Sequence, residues 1–215
     1  MAVRFIYGRG GSGKSHFCLE EIKKRIAEGS KNKLILLVPE QFSFTAERNL
    51  LKAVGELGIL KAEVLSFKRM AHNVFSELGG ITHRRINDAG KSMLLYRIIE
   101  DARGKLEIFN NASKQQGFVD VLAEAITEFK KYNITPEILS SEASSLEEDS
   151  ELKKKLEDLS LLYGGFEDSI SKKFLDPQDE LSLLAEKLPG CNMYDGAEIW
   201  IDEFTTFTPQ QYAVL

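Results

Sequence analysis

A glycine-rich segment near the start of the chain contains the first residues whose types and spacing predict chemistry. The segment Gly8-Arg9-Gly10-Gly11-Ser12-Gly13-Lys14-Ser15 fits the pattern G-x-x-x-x-G-K-[ST]. Its glycines let backbone N–H groups converge on phosphate oxygens at the positive end of the following helix. We expect Lys14 to reach the β- and γ-phosphates and Ser15 to ligate Mg²⁺. The segment therefore predicts an ATP–Mg²⁺ site, with a glycine turn that binds nothing as the alternative.

An acid pair near the end of the chain is the second candidate. Asp202 and Glu203 directly follow the apolar run Ile199-Trp200-Ile201. One carboxylate at the end of a strand can hold Mg²⁺, and its neighbour can polarise an attacking water. We expect Asp202 to be a metal ligand and Glu203 to be catalytic together with Lys14. The alternative is a solvated strand end, because a single acid pair after a strand is common.

Strand and helix patterns alternate in the first third of the chain and return at its end. The predicted strands lie at 3–7, 34–38, 63–65 and 197–201, and the predicted helices at 14–27, 41–54 and 67–78. Such units pack as a parallel sheet with right-handed crossovers. The first predicted strand leads directly into the glycine-rich segment. These elements place both candidate groups at the ends of strands of one α/β domain.

The middle of the chain has the periodicity of helices that pack on one another. Apolar residues recur at helical spacing within 94–102, 118–129 and 152–170, which predicts a helical bundle core. Gly164 and Gly165 predict a bend in the last of these helices. Near the end, Thr208 and Pro209 predict an N-cap and the first residue of a helix. The chain ends within that helix, so we expect it to be part of a longer protein.

Composition limits the class of protein. The chain has 215 residues, of which 43% are hydrophobic and 28% charged, and its net charge is −5. These values exclude a disordered chain. No apolar run approaches the roughly 18 residues of a membrane span, and no signal peptide precedes the first strand. Cys18 and Cys191 have neither metal-site nor disulfide spacing. We therefore predict a cytoplasmic protein that contacts no membrane.

Charge is distributed unevenly along the sequence. Residues 61–105 carry nine basic and five acidic side chains, whereas residues 142–158 carry seven acidic side chains and three lysines. The first of these stretches could form an electropositive surface for nucleic acid. The alternative is a set of solvated helix faces.

Three stretches of this sequence resemble a known family. They are GRGGSGKS at 8–15, LVPEQFSFTAE at 37–47 and IDEFTTFTPQQ at 201–211. They are similar to the N-terminal part of superfamily 1 helicases and, more closely, to the AddB subunits of bacterial AddAB helicase–nucleases. The segment Val64-Leu65-Ser66-Phe67 resembles the helicase segment that contacts single-stranded DNA. The resemblance covers the whole chain. The chain corresponds to only the first half of the motor region in the family.

The resemblance implies a fold and a setting. The implied fold is a P-loop NTPase domain of the RecA-like type at 1–86 and 190–215, with an inserted helical subdomain at 87–189. The implied partners are an AddA-like subunit in a heterodimer and DNA, in the processing of double-strand breaks for recombination. In the family, a nuclease and an iron–sulfur cluster belong to a C-terminal part that lies outside these residues. We therefore expect this piece not to cut DNA.

The same resemblance suggests where DNA would lie. Loops at the carboxyl ends of parallel strands converge on ligands, and two such loops follow the second and third predicted strands. Phe42 and Phe67 are candidates to stack on bases, and Lys68 and Arg69 to contact phosphates. His16 is a candidate to line the nucleotide site. The alternatives are packing of both aromatic rings beneath helices and a solvated face for the two cations.

The sequence also departs from active motors. Superfamily 1 helicases carry a glutamine two positions beyond the acid pair, where this chain has Thr205. This departure puts hydrolysis in doubt but leaves phosphate and Mg²⁺ binding intact. A scaffold that binds ATP without turnover is therefore the second hypothesis. A small-molecule kinase is the third, and it would need Arg84, Arg85 or Arg97 as a lid residue near the phosphates.

Overall fold

The protein is an α/β molecule with a small parallel sheet and a majority of helices. The computed structural model describes residues 3–58, 60–79, 84–112, 117–171 and 174–215. They divide into two compact units, one formed by Met1–Leu78 with Lys187–Phe207, the other by Gly79–Glu186 with Thr208–Leu215. The division at residues 87 and 189 remains a prediction. No helix in the described ranges is long and apolar enough to cross a membrane.

The elements have the following bounds. The strands are β1 (Leu34–Leu37), β2 (Ala62–Leu65), β3 (Arg84–Arg85), β4 (Phe174–Leu175) and β5 (Glu198–Ile201). The helices are α1 (Lys14–Ala27), α2 (Ser43–Gly58), α3 (Phe67–Leu78), α4 (Asp88–Asp101), α5 (Phe109–Ala112), α6 (Phe118–Lys131), α7 (Pro136–Ser144), α8 (Glu151–Ile170), α9 (Glu180–Lys187) and α10 (Pro209–Val214). Helix α2 has a kink at Gly55, where the backbone leaves the helical region.

The first unit is built on a three-stranded sheet. Its order is β2-β1-β5, and both pairs are parallel. Every side chain of the central strand β1 is buried, as its continuous apolar run predicts. Leu37 pairs with Leu65 of β2 and with Ile201 of β5. The carboxyl ends of all three strands therefore meet at one edge, and the segments that follow them begin side by side.

The predicted first strand, at residues 3–7, is wrong. The segment is not part of a sheet, and Val3, Phe5 and Tyr7 are 68%, 71% and 86% exposed. The Arg4 guanidinium binds the Glu21 carboxylate on α1 at 2.7 Å. A strand needs a neighbour that supplies backbone hydrogen bonds. Residues 3–7 have no such neighbour in the described sheet, and Arg4 instead contacts Glu21 and the Phe17 ring on α1.

The second unit has a helical core, which confirms the predicted bundle stripes. Helices α4, α6 and α8 contribute its central side chains. The fully buried members are Leu95, Ile99, Leu122, Ile126, Leu162 and Phe166. Two residues assigned to the stripes, Val121 and Leu152, are instead 63% and 53% exposed. Helical spacing thus identified the buried face of each helix but not which residues at the edge of that face are exposed.

The predicted bend at Gly164 and Gly165 is also wrong. Helix α8 runs without a break across both residues. A Cβ atom at Gly165 would lie 3.0 Å from Ile98 Cγ2, and one at Gly164 would lie 3.8 Å from the Pro136 Cβ. The contact at Gly165 is tight, whereas a side chain at Gly164 would make an ordinary van der Waals contact. Gly165 therefore serves the packing of α4 against α8.

Charged side chains lie inside the helical unit. The Lys130 Nζ atom is 2.8 Å from Glu167 Oε1, 2.8 Å from Asp179 Oδ1 and 3.2 Å from Asp176 Oδ2. The Lys91 Nζ atom is 3.4 Å from the same Asp176 oxygen. Lys130 and Asp176 are 5% and 1% exposed. Two lysines and three carboxylates thus form an ion cluster, which connects α4, α6 and α8 to the segment after β4. Its lysines and Asp176 are buried, whereas the Glu167 and Asp179 side chains are 36% and 29% exposed.

Helix α10 begins as the sequence predicts. Thr208 is its N-cap and Pro209 its first residue. The Thr208 side chain accepts a hydrogen bond from Gln211 N at 3.3 Å, and the Gln211 side chain accepts one from Thr208 N at 2.9 Å. This reciprocal pair is a capping box. The buried Gln210 Nε2 donates to the Gln178 carbonyl at 2.9 Å, so the start of α10 is fixed within the second unit.

Candidate nucleotide-binding site

The glycine-rich segment forms a loop that leads into helix α1. Gly13 is the N-cap of α1 and has a φ of +87°, which glycine adopts without steric cost. Within the loop, Ser12 N donates to the Arg9 carbonyl at 3.2 Å. A Cβ atom at Gly8 would lie 2.3 Å from Ser12 Oγ. A side chain at position 8 would thus force the Ser12 hydroxyl to move, and glycine at position 13 suits the backbone direction at the helix start.

The ammonium group of Lys14 lies against this loop. Its Nζ donates to the carbonyl oxygens of Gly8 at 3.0 Å and Arg9 at 2.9 Å. Both acceptors are neutral carbonyls of the loop itself. An anion that approaches the loop would offer Lys14 stronger, charge-assisted hydrogen bonds than these carbonyls do. The side chain is thus positioned to exchange its present partners for phosphate oxygens.

The acid pair begins at the carboxyl end of β5. Asp202 N donates to the Leu37 carbonyl at 3.0 Å, which extends the pairing with β1 by one residue. Glu203 follows with a φ of +65°, an uncommon conformation for a residue other than glycine. The Ser15 hydroxyl donates to Glu203 Oε1 at 3.4 Å. Residues from the two ends of the sequence therefore meet in the first unit, as the sequence predicts for a shared site.

Asp202 affects helix α1 through its charge. Burial raises the pKa of the Cys18 thiol to about 11, and the charges of Asp202 and Glu21 contribute to this rise. Cys18 lies one helical turn beyond Lys14 on α1. A raised pKa lowers the fraction of thiolate at neutral pH, so Cys18 is a poor candidate for a nucleophile. The Ser15 hydroxyl, one turn earlier on the same helix, donates its hydrogen bond to Glu203.

The residues at the loop fit a magnesium ion of the kind that binds together with a nucleotide. Among the described residues no group of three or more His, Cys, Asp or Glu side chains could hold a metal alone. Mg²⁺ in nucleotide sites usually keeps only one or two protein oxygens and takes the rest from phosphates and waters. The Ser15 hydroxyl and the Glu203 carboxylate could supply two such oxygens, since they lie within hydrogen-bond distance of each other.

The two aromatic rings predicted to contact DNA are packed against other side chains. Phe67 is 6% exposed, and its ring lies edge-on to Phe204 and Phe207, with centroids 5.7 Å and 6.5 Å away. Phe42 is half-buried and packs against the core between the sheet and α2. For Phe67, stacking on a base would require the aromatic cluster to open.

The two candidate cations differ in their surroundings. Lys68 is exposed in the first turn of α3. Arg69 is ion-paired with Glu47 and donates to the Val64 carbonyl at 3.3 Å. The hydrogen bond to Glu47 raises the pKa of the Arg69 guanidinium above its ordinary value. Lys68 is therefore the more available of the two for a phosphate, because Arg69 would first have to leave its carboxylate.

Comparison with known proteins decides the family. Residues 5–215 match the family described as "ADDB, N-terminal". The chain belongs to the AddB N-terminal family. The resemblance predicted from the three sequence stretches is thereby confirmed.

Relatives of this AddB-family chain are larger proteins. It is 55% identical over 217 residues to an ATP-dependent helicase/deoxyribonuclease subunit of Clostridium tetani, and 54% identical over 215 residues to the protein of the same name from Acetivibrio thermocellus. Each match covers 100% of this chain and 19% of the relative. The chain therefore spans about a fifth of the length of these curated relatives.

The sequence did not identify Phe44 of this AddB-family chain as an exposed aromatic residue. Phe44, in the first turn of α2, is 75% exposed, whereas Phe42 two positions earlier packs inward. The inward residues Phe42, Ala46 and Leu50 follow one another at four-residue spacing. That spacing is a signal that could have identified Phe44 as outward-facing. Phe44 lies in the segment that follows β1 at the carboxyl edge of the sheet.

Proposed function

We propose that this chain binds Mg-ATP through residues 8–15, as the N-terminal motor-like part of a helicase–nuclease subunit that acts on DNA. The observation that carries the proposal is the meeting of Ser15 with Glu203, because it joins a phosphate-binding loop to an acid pair at the end of a strand. The relatives named as ATP-dependent helicase/deoxyribonuclease subunits support the setting. A RecA-like fold with a helical insertion belongs to the same proposal.

The proposed binding assigns a task to each part of the loop. The N–H groups at the start of α1 would face the phosphates, and the helix dipole would favour their charge. Lys14 would exchange the Gly8 and Arg9 carbonyls for phosphate oxygens. Mg²⁺, when bound, would neutralise part of the phosphate charge beside Ser15. Arg9 and His16 are exposed at the rim of the loop, where they can approach the nucleotide.

The whole protein's partners are part of the proposal. An AddA-like subunit and DNA would complete the assembly. Lys68 and Phe44, at the carboxyl edge of the sheet, are candidate DNA contacts. Phe42, Phe67 and Arg69 could contact DNA only after their present packing or ion pair is rearranged. Exposed aromatic rings stack on unpaired bases, and a lysine contacts phosphates without regard to sequence. DNA binding by this part is therefore expected to be sequence-independent and weakened by salt.

Isothermal titration calorimetry with Mg-ATP tests the nucleotide proposal. We expect Lys14→Ala to weaken binding by at least about tenfold, since the loss of charge-assisted hydrogen bonds typically costs about 1.5–3 kcal/mol. Lys23→Ala is the matched control, because it removes a lysine from the exposed face of the same helix. Equal affinity of Lys14→Ala and the wild type, or no binding by either, would overturn the proposal.

A scaffold that binds ATP without turnover is the second candidate. The observation that favours it is Thr205 two positions beyond the acid pair, where superfamily 1 helicases carry a glutamine. A single-turnover assay with radiolabelled ATP separates the two candidates. Binding without conversion to ADP supports the scaffold, and conversion supports the motor-like enzyme.

A further inference from the structure

The position of Glu203 suggests a role different from that of a general base. Its backbone φ of +65° turns the side chain away from the direction that an extended residue after β5 would give it. The carboxylate reaches the hydroxyl of Ser15, the residue that follows the loop lysine. Asp202, in contrast, continues the pairing of β5 with β1 through its backbone. Among the described hydrogen bonds, it is the Glu203 carboxylate that accepts from Ser15.

The distance between the two oxygens matches the geometry of a metal site. Octahedral Mg²⁺ lies about 2.1 Å from each ligand, so two adjacent ligand oxygens are about 3 Å apart. Ser15 Oγ and Glu203 Oε1 are 3.4 Å apart. An ion ligated by the Ser15 hydroxyl would therefore reach the Glu203 carboxylate after a movement of a few tenths of an ångström. A carboxylate is also the oxygen ligand that Mg²⁺ prefers among protein side chains.

We infer that Glu203, rather than Asp202, is the carboxylate that ligates Mg²⁺ beside Ser15. The inference rests on the proposed nucleotide binding. It moves the role of metal ligand from Asp202, for which the sequence predicts it, to Glu203. A carboxylate that ligates the metal does not accept a proton from water. With Glu203 on the metal instead of on the attacking water, we expect hydrolysis at this site to be slow.

The two assignments predict opposite behaviour of one variant. If Glu203 were the general base, Glu203→Gln would bind Mg-ATP as tightly as the wild type and would lose only turnover. As a metal ligand, Glu203 loses its charge in the same variant, and the contribution of Mg²⁺ to nucleotide affinity falls. Glutamine has the same size as glutamate and similar backbone preferences, so we expect the fold of this variant to be unchanged.

The test measures ATP affinity by calorimetry with Mg²⁺ and with EDTA, in the wild type, Glu203→Gln and the matched control Asp202→Asn. We expect Glu203→Gln to lower the Mg²⁺-dependent gain in affinity by at least about tenfold and to leave the affinity in EDTA unchanged. Asp202→Asn is expected to lower the gain by less than about threefold. Electron paramagnetic resonance of Mn²⁺ with ADP provides a readout without hydrolysis, and Glu203→Gln is expected to release the protein-bound Mn²⁺.

The outcomes separate this inference from the proposed function. Nucleotide binding by the wild type with a full Mg²⁺-dependent gain in Glu203→Gln would overturn the inference and leave the proposed function in place. An equal loss in both variants would also overturn it, because it would assign the metal to the pair of acids. Failure of the wild type to bind nucleotide would overturn the proposed function and this inference together.

Discussion

At the scale of single residues, the candidate site depends on unusual backbone positions. Gly13 and Glu203 both have positive φ angles, and they flank the place where Ser15 meets the acid pair. Glycine adopts this conformation freely, but a glutamate in the left-handed region costs roughly 1–2 kcal/mol. Such a cost is typical of functional positions, where the surrounding structure maintains a strained residue. The backbone conformation of Glu203 therefore lowers the stability of the fold, while it places the carboxylate beside Ser15.

The backbone cost at Glu203 gives a testable stability effect. Glu203→Gly removes the side chain and the conformational cost, whereas Glu203→Ala removes the side chain and keeps the cost. We expect the glycine variant to be more stable than the alanine variant by roughly 1 kcal/mol, measured by urea unfolding. Equal stability of the two variants would show that the position is not strained.

At the scale of elements, the chain after the acid pair is stabilised locally. The capping box of Thr208 and Gln211 satisfies backbone N–H groups at the start of α10, a helix of only six residues. Short helices contribute little stability of their own and depend on caps and packing. Gln210 adds the packing through its hydrogen bonds to Gln178 and Ser182. The start of α10 is thus defined by side-chain hydrogen bonds as much as by its backbone.

Removal of this cap should destabilise the end of the chain. Thr208→Ala eliminates the hydroxyl that accepts from Gln211 N, and we expect a loss of about 1 kcal/mol and faster hydrogen exchange of the Gln211 amide. Thr208→Ser is the control, because serine keeps the hydroxyl and caps helices at least as well. Unchanged exchange in the alanine variant would contradict the role of the cap.

At the scale of the whole molecule, the two units differ in how they are stabilised. The first unit buries the apolar side chains of a parallel sheet, whereas the second surrounds an ion cluster with an apolar helical core. Burial alone would lower the pKa of Lys130, but the charges of Asp179 and Asp176 outweigh it and raise the pKa. Burial raises the pKa of Glu167 and Asp179. The ammonium of Lys130 thus stabilises carboxylates that burial disfavours.

Loss of the Lys130 charge should destabilise the protein in a pH-dependent way. Lys130→Met leaves buried carboxylates without their main partner, and we expect a loss of about 3–5 kcal/mol at neutral pH. The pKa values of Glu167 and Asp179, already raised, would rise further. The folded variant would then hold protons that the unfolded chain releases above about pH 4, so its stability falls as pH rises. The deficit should therefore be smaller at pH 5 than at pH 8 in urea unfolding.

The neighbouring lysine supplies the control for this experiment. Lys131 is 40% exposed at its side chain and pairs with Glu128 on the surface. Lys131→Met should change stability by less than about 1 kcal/mol at any pH between about 5 and 8. A deficit of Lys130→Met that does not change with pH would show that the cluster carboxylates keep their charge without Lys130.

The sequence by itself determined the family, the phosphate-binding pattern and most elements of this chain. Helix α3 begins and ends where its apolar periodicity predicts, and β1 is buried along its whole length as its apolar run indicates. These features depend on interactions between residues close in sequence. Steric preferences, capping and hydrophobic periodicity therefore suffice to predict them.

Only the tertiary structure decided which distant residues meet. The fold brought Glu203 beside Ser15, covered Phe67 with Phe204 and Phe207, and left residues 3–7 outside the sheet. It also buried Lys130 among carboxylates, although lysine is ordinarily solvated. Each result depends on which neighbour is available across the fold. Local patterns do not contain that information, because the hydrogen bonds and charges involved are supplied by segments far away in the sequence.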